Sequence, residues 1–219
     1  MGEEEHVEEE PVKELPVKQK EVLEVGIGLG GPYLNRDKKN KIHRTGFDRF
    51  KHPGPLLKKY GDTGVEYVSG EINPDNPDKK KGGLPFKDGI FDGINIFFPN
   101  AEIFYGLCGQ DRGYLWDELR RVTQENSTVE LFVDIPPDYD TRVVQVNGGL
   151  VRIEHPIAHI VSGAIAHGFA VETKELQEPD KSKELEEIGT NTAKDCLRSG
   201  EKIFHIVAKK VSLVTSQSI

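Results

Sequence analysis

The sequence predicts a single-domain α/β fold, with a mostly parallel sheet covered by helices. Seven short β-rich runs alternate with longer polar or amphipathic stretches over most of the 219 residues, an alternation typical of α/β proteins. The first run ends in a cluster of glycines, and open α/β sheets bind ligands at the carboxyl ends of such strands. The hydrophobic content of 36% is enough for one sizeable core in a chain of this length.

The predicted strands begin just before the glycine cluster. Most are rich in β-branched or aromatic residues and are followed by glycine or an acidic residue, which is a common sign of a strand end. The seven runs are Val22–Val25, Thr45–Phe47, Val65–Val68, Ile94–Phe98, Thr128–Val133, Phe169–Leu176 and Lys202–Val211.

Helices are predicted mainly between the later strands. Leu115, Leu119 and Val122 fall on one face at helical spacing. Residues 156–168 start with proline and end with glycine, as helices often do. The other predicted helices are a weaker one over 182–197, interrupted by Gly189, and a polar one with a thin apolar face over 32–43.

Charge separates a tail from the body of the protein. The net charge is -8, and six glutamates among the first ten residues leave the remainder close to neutral. Residues 1–20 are therefore interpreted as an acidic flexible tail, 21–211 as the domain and 212–219 as a C-terminal tail. The near-neutral body does not indicate nucleic acid as a partner, and a protein partner is left open.

Composition also predicts a cytoplasmic protein. No apolar run approaches the ~18 residues that span a bilayer, so no membrane contact is expected. The acidic N-terminus lacks the apolar segment of a secretory signal. Two cysteines, Cys108 and Cys196, do not form a disulfide framework.

The glycine cluster EVGIGLGG, residues 24–31, fits two ligand-binding patterns. One is the dinucleotide fingerprint G-x-G-x-x-G, and the other is E-x-G-x-G-x-G. Glycines at alternate positions let the chain turn sharply and let a ligand approach the main chain. Asp48, at the end of the second strand, suits both patterns, because a carboxylate can accept hydrogen bonds from two ribose hydroxyls. A glycine-rich turn without a ligand is the third interpretation.

The later segments distinguish these patterns. LPFKDGIFDGINIFF, residues 84–98, resembles the "LPF, turn, FD, apolar strand" segment of the class I S-adenosylmethionine-dependent methyltransferases. ELRRVTQENSTVELFVD, residues 118–134, resembles the segment around their fifth strand, and residues 168–176 and 200–210 resemble their closing antiparallel pair. The matches cover 21–211. This superfamily has a doubly wound, seven-stranded, mostly parallel sheet with an antiparallel last strand.

The resemblance implies an S-adenosylmethionine-dependent methyltransferase whose acceptor is a small molecule, RNA or protein. It implies cofactor-binding roles for Glu24, Gly26, Gly28, Gly30, Asp48, Arg49, Glu71, Ile72 and Asn95. The glycines would lie against the amino-acid and ribose parts, and Glu24 would hold the ammonium group directly or through water. Asp48 would bind the ribose hydroxyls with Arg49 beside it, and Glu71 and Ile72 would border the adenine.

Residues Phe98, Pro99 and Asn100 are the candidate substrate-binding segment. They resemble the FPD segment of tRNA guanine-N7 methyltransferases and, more distantly, the N-P-P-[YF] segment of amino-directed ones. Asn100 would hydrogen-bond an acceptor amine or base edge, and a plain turn is the alternative. No catalytic residue is assigned, because methyl transfer from a sulfonium requires mainly alignment of the reactants.

Other chemistry-bearing residues receive ordinary structural interpretations. Glu154, His155 and His159 have a spacing that could ligate a metal, but His155 precedes a proline and is expected outside the helix. Solvated or capping histidines, and no metal, are predicted. The two cysteines lack a visible base partner, so nucleophilic catalysis is not expected.

Two rival functions remain at this stage. The turn Gln124–Ser127 replaces the family's Lys-Pro-Gly-Gly, and the first helix is polar. These departures suit a methyltransferase-like subunit that is inactive and serves as a scaffold. The dinucleotide pattern suits an NAD(P)-binding oxidoreductase, although that class does not predict the closing pair of strands. Specificity is assigned to the loops 73–84, 99–114 and 135–155.

Overall fold

The protein was analysed as a computed structural model that describes residues 19–26, 42–48, 65–70, 83–135, 141–146, 148–188 and 191–212. Within these ranges the chain forms nine strands and five helices. The strands are β1 (Lys20–Val25), β2 (Ile42–Asp48), β3 (Val65–Ser69), β4 (Phe91–Phe97), β5 (Thr123–Ile135), β6 (Thr141–Val146), β7 (Gly149–Glu154), β8 (Phe169–Glu175) and β9 (Lys202–Lys210). The helices are α1 (Ala101–Leu107), α2 (Tyr114–Val122), α3 (Pro156–Ala166), α4 (Asp180–Ile188) and α5 (Asn191–Ser199).

Seven strands form one sheet in the order β3-β2-β1-β4-β5-β9-β8. The pairs from β3 to β5 are parallel, whereas β9 is antiparallel to both of its neighbours. The predicted mostly parallel sheet with an antiparallel last strand is confirmed. The order reverses between β1 and β4, and such a switch point is where open α/β sheets form a ligand crevice.

Helices cover both faces of the sheet, which makes the fold doubly wound. On one face, β1, β4 and β5 pack against α1, α2 and α3 in a core that includes Leu23, Ile94, Leu131 and Trp116. On the other face, a smaller cluster joins Phe132 of β5 to α4 and α5. Parallel strands buried on both faces need such two-sided cover.

The predicted strands all occur, with different limits. β2 begins at Ile42, so the helix predicted over 32–43 is wrong at its last two residues; residues 32–41 lie outside the described ranges. β4 ends at Phe97 because Phe98 turns out of the strand with φ 49°. The turn predicted at Gln124–Ser127 lies inside β5. There Asn126 has φ 64° and the pairing with β4 shifts, which forms a bulge.

The predicted later helices are confirmed. Proline starts α3, and Gly168 follows its last turn. The helix predicted over 182–197 is two helices, because α4 ends at Ile188 and α5 begins at Asn191 on either side of the glycine.

Three elements, one helix and two strands, were missed, and all lie in segments interpreted as loops. α1 has only seven residues with Gly106 near its end, so its helical periodicity is short and its propensity weak. β6 and β7 form an antiparallel hairpin around residues 147 and 148. Its sequence signal is the Asn-Gly pair between two apolar-rich runs, which favours a two-residue hairpin turn.

Within the described residues, no helix is long and apolar enough to cross a membrane. Of the tails predicted at 1–20 and 212–219, residues 1–18 and 213–219 lie outside the described ranges, and β1 begins at Lys20.

Candidate functional site

The candidate site lies at the carboxyl ends of β1, β2 and β4, where the strand order reverses. Gly26 follows β1 with φ 72°, and its N–H donates to the carbonyl of Phe47 at 2.8 Å. A Cβ on Gly26 would lie 2.6 Å from Cδ1 of Ile103 in α1. The left-handed backbone therefore favours glycine at this position, and a Cβ would displace the end of the Ile103 side chain.

Glu24 and Asn95 lie one layer below this edge, directly opposite each other in the pairing of β1 with β4. Both side chains are buried, and the Glu24 carboxylate forms an ion pair with Arg44 of β2. The structure thus brings the two predicted residues together and adds Arg44, which the motif did not include. Binding of the cofactor by Glu24 and Asn95 remains a prediction.

The structure describes only the backbone of one of the remaining predicted cofactor residues and none of the others. Asp48 ends β2 opposite Ser69 of β3, but its side chain lies outside the described part of the structure. Five others, Gly28, Gly30, Arg49, Glu71 and Ile72, lie wholly outside it, so their roles stay predictions.

The candidate substrate segment follows β4 at the same edge. The N–H of Phe98 donates to the carbonyl of Phe132 at 2.8 Å, and its left-handed backbone then turns the chain. Pro99 is buried, and Asn100 is the N-cap of α1, because its Oδ1 accepts from the N–H of Ile103 at 3.0 Å. This cap gives Asn100 a structural role, and its contact with an acceptor remains a prediction.

The hairpin of β6 and β7 is anchored beside this edge by Arg142, which sequence reasoning missed. Nη1 of Arg142 donates to the main-chain carbonyl and to Oδ1 of Asp134, at 3.0 and 3.1 Å. Its guanidinium also lies 4.1 Å from the centre of the Phe104 ring in α1. One arginine thus joins the end of β5, the hairpin and α1.

The histidines predicted as solvated or capping residues include one at a helix start. His155 is the N-cap of α3 and lies outside the helix with φ 47°, as expected from the following proline. Within the described ranges, one trio has potential metal-ligand atoms within 4.8 Å of one another, namely Asp134, Cys196 and Glu201. Burial raises the pKa of the Cys196 thiol, and its hydrogen bond to Glu201 raises it further. The carboxylate of Asp134 forms an ion pair with Arg142 at 3.1 Å.

The thiol of Cys108 is also buried away from solvent. Cys108 is buried in the main core, and this burial raises the pKa of its thiol to about 12. Both cysteines are therefore protonated near neutral pH, and a protonated thiol is a weak nucleophile. The fold gives neither cysteine the environment of a catalytic nucleophile.

Comparisons with known proteins give structural matches only. No protein-family model matches the chain, and no curated protein matches its sequence. The solved structure of the 16S rRNA methyltransferase KamB superposes with a TM-score of 0.65 at 12% identity, over 89% of each chain. An antibiotic-related methyltransferase superposes with a TM-score of 0.62 at 14% identity, over 87% of each chain.

A third similar structure was solved with ligands bound. It is the 1,6-didemethyltoxoflavin-N1-methyltransferase of Burkholderia thailandensis, with its substrate and S-adenosylhomocysteine. Its TM-score is 0.54 at 16% identity, over 89% of this chain and 72% of that one. At such low identities the likeness establishes the fold. The chain therefore has the fold of the class I S-adenosylmethionine-dependent methyltransferases.

Proposed function

We propose that the protein binds S-adenosylmethionine at the carboxyl edge of β1, β2 and β4 and transfers its methyl group to an acceptor. The observation that carries the proposal is the left-handed turn at Gly26, which follows β1 at the switch point of the sheet. The order of the sequence segments and the shared fold support it. Asp48 ends the adjacent strand, where a carboxylate is suited to bind ribose hydroxyls.

The described residues fit this cofactor in position and in chemistry. Gly26 turns the chain after β1, and Glu24 contributes the acidic group of the motif two residues before it. We propose that Gly28 and Gly30 continue the glycine turn, with Arg49 beside the ribose and Glu71 and Ile72 beside the adenine. When bound, the cofactor supplies a methyl group that is already activated by its sulfonium.

The contribution of the protein is alignment. Holding two reactants in line replaces a collision between free molecules with a reaction inside one complex. The hydrogen bond between the Asn100 side chain and the start of α1 holds Asn100 in place. Arg142 holds the β6–β7 hairpin against the end of β5, beside α1. We propose that Phe98, Pro99 and Asn100 border the acceptor. A general base is required only if the acceptor loses a proton during transfer.

Titration calorimetry with S-adenosylmethionine and S-adenosylhomocysteine tests the binding half of the proposal. We expect saturable binding, and we expect Asp48→Ala to weaken it about tenfold or more by removing bonds to the ribose hydroxyls. Asp195→Ala is the matched control, because that carboxylate is exposed on α5. No binding by the native protein at millimolar ligand would refute the proposal.

Transfer itself is tested with cofactor labelled on its methyl group. Cell extract incubated with the protein should gain label in one class of molecule, either macromolecules or small solutes. Binding of cofactor without any transfer would instead support the scaffold interpretation. Binding of NADH with no binding of S-adenosylhomocysteine would support the oxidoreductase.

A further inference from the structure

A polar cluster is buried in the sheet directly below the candidate cofactor edge. It consists of Glu24, Arg44 and Asn95, whose exposed fractions are 1%, 2% and 8%. Nη1 of Arg44 bonds to Oε1 of Glu24. In the amide orientation that satisfies its hydrogen bonds, Asn95 accepts from the same Nη1 at 3.0 Å and donates to the carbonyl of Ile94 at 3.2 Å. The guanidinium therefore bridges β1 and β4 from β2.

The strand register explains how the three side chains meet. Glu24 lies opposite Gly46 on one side and opposite Asn95 on the other. Since side chains alternate between faces, Arg44 and Gly46 share one face of β2. Glycine leaves the place beside Glu24 open, so that Arg44 reaches the carboxylate diagonally from two residues upstream.

Stability alone is a poor explanation for this ion pair. Removing two charges from water is costly, and a well-packed apolar pair of similar volume is often equally stable or more stable. Strands in parallel sheets are commonly apolar on both faces. Glu24 lies two residues before Gly26 and Asn95 three before Phe98, so the cluster is close to the ends of the strands that form the site.

We infer that Arg44 is a positioning residue for the amino-acid end of the cofactor, an inference that rests on the proposed function. Arg44 fixes the Glu24 carboxylate in one orientation and ties it to Asn95, which holds the ends of β1 and β4 at one separation. The motif assigns that part of the site to the ammonium group. Binding of the amino-acid end should therefore depend on Arg44 more than binding of the nucleoside does.

Two ligands separate these contributions. S-adenosylhomocysteine carries the amino-acid end, whereas 5′-methylthioadenosine has the same nucleoside and thioether without it. For Arg44→Met, we expect the affinity for S-adenosylhomocysteine to fall about tenfold or more, as for the loss of a charge-assisted hydrogen bond. The affinity for 5′-methylthioadenosine should change by less than about twofold.

A second arginine provides the matched control. Arg120 of α2 donates to the carbonyls of Gly168 and Val211, beyond the end of β9. Because β9 is antiparallel, that end lies at the opposite edge of the sheet from the site. Arg120→Met should lower the melting temperature while leaving both affinities within about twofold of those of the native protein.

Other variants keep the test valid if Arg44→Met does not fold, since it removes the charged partner of a buried carboxylate. Arg44→Gln keeps a neutral hydrogen-bond donor at that place and should show a smaller selective loss. Arg44→Lys keeps the charge but cannot reproduce the planar fork, so it should recover part of the affinity for S-adenosylhomocysteine.

The outcomes are distinct. Equal losses for both ligands, or no loss for either, would overturn the positioning role while leaving the proposed function intact. Failure of the native protein to bind either ligand would overturn the proposed function, and the inference with it. A selective loss with partial recovery by lysine would support both.

Discussion

Gly26 shows how much a single residue contributes to the site. Its left-handed backbone disfavours any other residue, and the space for a Cβ is occupied by Cδ1 of Ile103. We predict that Gly26→Ala lowers the free energy of unfolding by about 3 kcal/mol, from backbone strain and overpacking together. Urea unfolding followed by circular dichroism measures this change.

A matched glycine separates the two causes. Gly89 has a similar φ of 61° but no heavy atom within 4 Å of a Cβ, so Gly89→Ala should cost only about 1 kcal/mol. Ile103→Val removes the clashing methyl group and should restore about 1 kcal/mol to Gly26→Ala. Equal losses at the two glycines would show that the contact with α1 does not matter.

Residue identities were predictable from the sequence where a motif specifies them, and not where tertiary contacts do. The pattern singled out Glu24 and Gly26, which the structure places at one strand end. It did not reveal Arg44, because an arginine in a short β-rich segment resembles a surface residue until the strand register is known. The sequence did not reveal Arg142 for the same reason, since its partners lie on β5 and α1.

At the scale of elements, Arg121 holds in place the segment 84–86, which resembles the LPF motif of the methyltransferases. Its guanidinium donates to the carbonyls of Leu84 and Phe86 and to the carboxylates of Glu118 and Asp88, at 2.7–3.0 Å. These bonds raise the pKa of Arg121, with the Glu118 hydrogen bond as the main cause. One side chain thus fastens the segment before β4 to α2.

We predict that Arg121→Met lowers the free energy of unfolding by about 3 kcal/mol, because it breaks several partly buried hydrogen bonds together. Asp88→Asn is the control, since that side chain is 81% exposed and its ion pair should contribute no more than about 1 kcal/mol. Urea midpoints of the two variants test the difference. Similar midpoints would show that the main-chain bonds of Arg121 add nothing.

Elements with a strong local pattern were predicted, and those that depend on their surroundings were missed. The buried positions of α2 repeat at helical spacing, and proline marks the start of α3. In contrast, α1 is short and is stabilised by the Asn100 cap and by packing. The bulge at Asn126 was interpreted as a turn because strand-internal irregularities and turns favour the same residues.

At the scale of the molecule, ligand binding should appear as a gain in stability. A ligand that binds only the folded state at about 100 times its dissociation constant adds about 2.7 kcal/mol. We predict that S-adenosylhomocysteine raises the melting temperature of the native protein accordingly and that NADH does not. Asp48→Ala, if it binds about tenfold more weakly, should lose about half of the shift at the same ligand concentration, and an equal shift in both proteins would exclude Asp48 from the site.

The overall fold was more predictable than the site. Seven β-rich runs in order were enough to anticipate the sheet, and the resemblance supplied its topology. The site could be anticipated only as a set of candidates, because its geometry depends on which strands become neighbours. Fold likeness at 12–16% identity to the three solved structures leaves the acceptor undefined.

The position of β9 has a consequence for synthesis on the ribosome. The final strand of the sheet in sequence occupies an interior place, between β5 and β8. Until residues 202–210 have left the exit tunnel, β8 has no partner in the sheet and β5 has one open edge. The nascent chain therefore exposes unpaired strand edges until β9 emerges, and chaperones would be needed most during that interval.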